Sequence, residues 1–192
     1  MKSELEQLLE KIARCQICAE HLPFEPKPVV QASTQAKILI AGQAPGMKVQ
    51  QTGIPFNDPS GDRLRLWLGV SHEQFYDPDL FAIVPMGFCY PGKGKSGDLP
   101  PRPECAKTWR EPLLSLLPNI ELTLVIGQYA LQYHLAAKQT VTEQVRAWQQ
   151  CIPAYLPLPH PSPRNNRWLR RHPWFEQEVI PYLQQRIDQL IN

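Results

Sequence analysis

Four short, almost unbroken apolar runs constrain this chain most. They are Lys37-Ile-Leu-Ile-Ala41, Phe81-Ala-Ile-Val84, Leu122-Thr-Leu-Val-Ile126 and Tyr155-Leu-Pro-Leu158. A sheet with one wet face alternates polar and apolar residues. Continuous apolarity calls for cover on both faces, which is the signature of buried parallel strands. Helical patterns fall between the runs. Ser3 and Glu6 form a capping box ahead of Leu5, Leu8, Leu9 and Ile12, in a helix expected to end near Cys15. Ser60 is expected to cap a helix running to about Leu68, Pro103 to open another through Leu117, and Gln128–Ala137 to form a third. Phe175, Val179, Leu183, Ile187 and Leu190 share one face of a C-terminal helix that Pro181 should kink or begin. The alternation predicts an α/β fold: three layers, α/β/α, with a central four-stranded parallel sheet, in a single domain over residues 1–192.

Composition narrows the function classes. The chain is 43% hydrophobic and 20% charged, which suits a packed core and not a disordered tail. Its 21 prolines are scattered, so they punctuate loops and do not form a linker. No apolar run approaches the ~18 residues of a membrane span. The N-terminal helix carries acids and lacks a signal-peptide core, so a cytoplasmic, membrane-free and monomeric protein is expected. A net charge of +2 leaves any polyanionic partner to be argued from local charge.

Ligands of open parallel sheets bind beyond the carboxyl ends of the strands. There the chain reads Gly42-Gln-Ala-Pro-Gly46 and Pro159-His-Pro-Ser-Pro-Arg-Asn165. His160, flanked by prolines after a strand, is a candidate positioned catalytic group; the alternative is a structural histidine. Arg164, Arg167, Arg170 and Arg171, interleaved with Trp168 and followed by Trp174, offer phosphate-directed forks and stacking planes, or else a solvated helix face over core tryptophans. Gly92-Lys-Gly-Lys-Ser96 lacks the first glycine of a phosphate-binding loop, because that position is Cys89. It is read either as a basic loop against a phosphate backbone or as a solvated loop. Cys15 and Cys18 form a C-x2-C pair, with Cys89 and Cys105 following far downstream. Together they could supply four thiolates to zinc or an iron–sulfur cluster, or be four unrelated buried cysteines. Cys151 has no place in that pattern.

In this order the motifs resemble the uracil-DNA glycosylase superfamily. Gly42-Gln-Ala-Pro-Gly46 is similar to the first motif of the iron–sulfur, family 4 type. Gly53-Ile-Pro-Phe56 with Ser60-Gly61 resembles the segment carrying the stacking aromatic. His160-Pro-Ser-Pro-Arg-Asn165 is similar to the second motif of the single-strand-selective monofunctional glycosylases. The resemblance implies a DNA-repair enzyme that hydrolyses the N-glycosidic bond of uracil, or a related deaminated base, flipped out of damaged DNA. It implies catalytic roles for His160 and Gln43, and base contacts from Gly42, Ala44, Phe56 and Asn57. DNA contacts would come from Gly46, Ser60, Ser162, Arg164, Asn165 and Arg167. A [4Fe–4S] cluster on Cys15, Cys18, Cys89 and Cys105 is implied over zinc, in a structural role.

Three positions depart from the family pattern. Gln43 stands where family 4 has glutamate, and Ala44 where other branches have an aspartate or asparagine. Pro85 replaces an asparagine that reads the uracil edge. The first motif therefore holds no general base, since an amide orients water but takes no proton. The alternative reading is a catalytically weak or inactive DNA-binding module that keeps the fold and the cluster.

Overall fold

A computed structural model describes residues 2–192. Four parallel strands, β1 (Ile38–Ala41), β2 (Phe81–Ile83), β3 (Leu122–Ile126) and β4 (Tyr155–Leu158), form one sheet in the order β2-β1-β3-β4. Every expected strand is present. From β1 the chain steps outward to β2, then returns to the far side of β1 for β3. This reversal opens a crevice at the carboxyl end of β1.

Side chains alternate between two cores. Ile38, Ile40, Phe81, Ile83, Leu122, Leu124 and Ile126 face one way, into a cluster with Leu64, Trp67, Phe175 and Leu183. Leu39, Ala82 and Val84 face the other, against Leu5, Ile12, Leu113 and Leu117. With helices on both sides, the sheet needs no polar face, which accounts for the unbroken apolar runs.

The helices are α1 (Glu4–Ala13), α2 (Met47–Thr52), α3 (Pro59–Leu68), α4 (His72–Phe75), α5 (Pro103–Cys105), α6 (Glu111–Ser115), α7 (Gln128–Leu135), α8 (Val141–Arg146), α9 (Asn166–Arg171) and α10 (Ile180–Ile191). The Ser3–Glu6 capping box closes α1 in both directions. The expected cap of α3 is corrected. Asp58, not Ser60, takes that place and accepts from the Gly61 N–H at 2.9 Å, with Pro59 in the first helical position. Wide π-type turns at Ala106–Arg110 and Phe175–Val179 run into α6 and α10, where Pro112 and Pro181 lack the N–H of a regular helix. Pro181 therefore marks the start of α10. No helix among the described residues is long and apolar enough to cross a membrane.

Candidate active site

The tip after β1, the ring of Phe56 and the imidazole of His160 meet in one pocket of about 280 Å³. Its lining includes Gly42, Gln43, Ala44, Gly46, Phe56, Ser60, Pro85, His160, Ser162 and Arg164. Its volume sits near the lower end of small-molecule sites.

Phe56 is placed by backbone contact. Its φ of 53° is left-handed, a conformation that non-glycine residues adopt only under constraint. The constraint is Gly61. A Cβ there would lie 1.7 Å from the Phe56 carbonyl oxygen, so the first turn of α3 can press onto residue 56 only as glycine. The ring then stands edge-on to Phe75, with centroids 6.0 Å apart, and its tip would lie 3.5 Å from a Cβ on Gly42. Adjacent Asn57 sits in the turn, its N–H donating to the Ile54 carbonyl at 3.3 Å, and does not line the pocket. Asp58 takes the place expected for it.

His160 is fixed in one tautomer. The Ser162 backbone N–H donates to Nδ1 at 3.2 Å. An N–H only donates, so Nδ1 accepts, and the proton of the neutral ring resides on Nε2. Burial holds the imidazole pKa below its ordinary value, against the opposing pull of the Asp58 and Asp98 carboxylates. Asn165 donates from Nδ2 to the His160 carbonyl at 2.7 Å, bracing the loop rather than entering the pocket. The Ser162 carbonyl accepts from Arg63 Nη1 at 3.1 Å.

Arg164 lines the pocket, and its Nη1 donates to the Ser96 carbonyl at 3.4 Å. Arg167, Arg170 and Arg171 are exposed on α9, while Trp168 and Trp174 pack against the core. Trp168 Nε1 donates to Thr142 Oγ1 at 2.8 Å. The arginines thus form a solvent-facing basic face, and the tryptophans serve as its foundation. Asp58 and Asp98 are the charged pocket residues that sequence reasoning missed.

The four cysteines Cys15, Cys18, Cys89 and Cys105 line a second, narrow cavity with Leu22, Pro26, Pro28, Phe88 and Trp109. Trp109 Nε1 donates to Cys15 Sγ at 3.2 Å, and the Phe88 N–H to Cys105 Sγ at 3.3 Å. Burial pushes the Cys89 thiol up to about 11 and that of Cys105 up to about 12. Among the described residues, no three His, Cys, Asp or Glu side chains close around a single point as one coordinated ion requires. Four sulfurs nevertheless line this one cavity, with N–H groups aimed at two of them, a donor set of the kind that thiolate-bound groups use. Cys151 lies apart as a free thiol.

The family model for the uracil DNA glycosylase superfamily matches residues 29–184. The chain belongs to the uracil DNA glycosylase superfamily. The matched region contains both strand-end motifs, Phe56 and two of the four cysteines; Cys15 and Cys18 precede it. In this superfamily member the carboxyl-end crevice is also where the pocket lies.

Proposed function

We propose that the protein is a DNA glycosylase that hydrolyses the N-glycosidic bond of uracil, or a related deaminated base, extruded from DNA. One observation carries this reading. A stacking ring, a strand-end backbone tip and a neutral imidazole with its Nε2–H free to donate share a single pocket. An extruded pyrimidine would stack on Phe56, with the backbone of Gly42–Gly46 along its edge. As the bond to the sugar lengthens, negative charge collects on the base, and the His160 Nε2–H would donate to its O2. A donor already held in place costs no reorganisation when the charge develops. Ser162 and the exposed arginines of α9 would take backbone phosphates. The first motif and the four cysteines resemble those of the iron–sulfur, family 4 type. The residues that would hold its [4Fe–4S] cluster are Cys15, Cys18, Cys89 and Cys105. That group would supply structure, joining the segment after α1 to the loop after β2.

A second reading is supported by Gln43, Ala44 and Pro85, which leave the first motif without an acid and the pocket without a side-chain donor at position 85. On it the protein binds DNA and turns nothing over. Oligonucleotides bearing a single uracil, hypoxanthine or xanthine, treated with protein and then alkali, separate the two. Strand cleavage at a modified site supports the glycosylase. Salt-sensitive binding with every site uncut supports the binding module.

A further inference from the structure

We propose that Asp98 is the carboxylate that handles the hydrolytic water, the function the first motif cannot perform; this rests on the glycosylase reading above. Asp98 ends the Gly92–Asp98 loop, whose lysines drew the sequence reading towards phosphate. The loop folds back on itself. Lys93 and Asp98 form an antiparallel bridge, the Gly94 N–H donates to the Gly97 carbonyl at 2.6 Å, and the Leu99 N–H to the Gly92 carbonyl at 2.8 Å. The second motif holds it from outside. Arg164 Nη1 donates to the Ser96 carbonyl, and a Cβ on Gly97 would lie 2.6 Å from that nitrogen. The Gly97 φ of 152° is one that glycine adopts without strain. The carboxylate is therefore delivered to a fixed place.

That place is over the first motif. Asp98 lines the pocket, and with Gln43 and His160 it also lines the groove that continues beside it towards Gln128 and Thr142. Its Oδ2 lies 3.7 Å from the point a Cβ on Gly46 would occupy, and Asp58 Oδ2 lies 3.9 Å from the same point. Two carboxylates thus flank the end of the tip. Asp58 is committed to the N–H of Gly61 at the start of α3. Asp98 caps no helix. The Tyr90 hydroxyl lies beside it as a hydrogen-bond donor.

The chemistry balances with water as the sole co-reactant. The bond between the base nitrogen and the sugar C1′ breaks, and its electron pair stays with the base, opposite the His160 Nε2–H. The water oxygen bonds to the cationic C1′, while Asp98 takes one water proton and later passes it to solvent. Gln43 would orient that water through its amide. The negative charge of Asp98 also favours the oxocarbenium-like sugar.

The test uses the purified full chain and a uracil-containing oligonucleotide under single turnover. Asp98→Asn should slow base release about 10²- to 10⁴-fold with oligonucleotide Kd no weaker than wild type. Asp98→Ala should regain rate on addition of formate, a response that a structural role would not give. An active wild type with Asp98→Asn within threefold of it, or with Asp98→Ala unmoved by formate, overturns the assignment of Asp98 alone. So does a larger loss from Asp58→Asn than from Asp98→Asn. A wild type that releases no base overturns the glycosylase reading, and the role of Asp98 with it.

Discussion

His134 shows how one half-buried residue sets a pH limit on the whole fold. Arg110 Nη2 lies 2.6 Å from its Nε2, so that nitrogen must accept, and protonation would set two cations face to face. Burial, then Arg110, lower its pKa to about 3. In the unfolded chain it takes a proton near pH 6.5; in the folded chain it does not until about pH 3. The unfolded state thus binds the extra proton, and the stability held above pH 6.5 drains away as pH falls towards 3, at up to about 1.4 kcal/mol per unit. Chemical denaturation at pH 7 and pH 4.5 should show wild type losing more stability than His134→Gln. Gly61 gives a second prediction. With a Cβ 1.7 Å from the Phe56 carbonyl, Gly61→Ala should cost about 1–3 kcal/mol in thermal denaturation and displace the stacking ring. His160 and Phe56 were legible because short motifs mark them. Asp58 and Asp98 were not, because neither lies in a strand-end motif. Asp98 reaches the pocket only through a loop that Arg164 holds from another part of the chain. The readable signal for Asp58 was Pro59, which places the capping residue one position earlier and outranks the equally suitable Ser60.

Among elements, the segment running from α5 through its π-type turn into α6 links the two cavities. Cys105 and Trp109 face the thiol cavity, and Arg110, fully buried, donates from Nη1 to the carbonyls of Val84 and Pro85 at 2.8 and 2.9 Å. Pro85 is also a wall of the base pocket. The turn places the guanidinium where it fixes the end of β2. Arg110→Met keeps much of the length and leaves both carbonyls without this donor. It should cost about 2–4 kcal/mol, read as a lower denaturant midpoint. The four strands were legible almost to the residue, since burial on both faces leaves continuous apolar runs. The π-type turns were not, because Pro112 and Pro181 signal only that a regular helix cannot pass through. Arg110 itself gave no signal, since an arginine in sequence reads as surface until its carbonyl partners are known.

Across the whole molecule, the thiol cavity joins the N-terminal segment, before the family match, to the loop after β2 within it. If a cluster occupies it, Cys105→Ala should bleach the broad visible absorption of the purified protein. It should also lower Tm by more than about 5 °C, because binding free energy at such a site is folding free energy. Colourless wild type with stoichiometric zinc would replace the cluster with a single ion. The layering of the fold was readable from periodicity alone. The cofactor was not, since four cysteines on distant segments state a donor set without stating what fills it. The pocket itself assembles residues from three strand ends and from the turn before α3, and its chemistry comes down to His160 as a neutral donor. The deciding measurement is single-turnover release of free uracil from an oligonucleotide by wild type and by His160→Ala. Release by wild type, slowed about 10²- to 10³-fold in the variant at equal oligonucleotide affinity, is the expected result. Release by wild type no faster than spontaneous loss, or equal rates in both proteins, would contradict it.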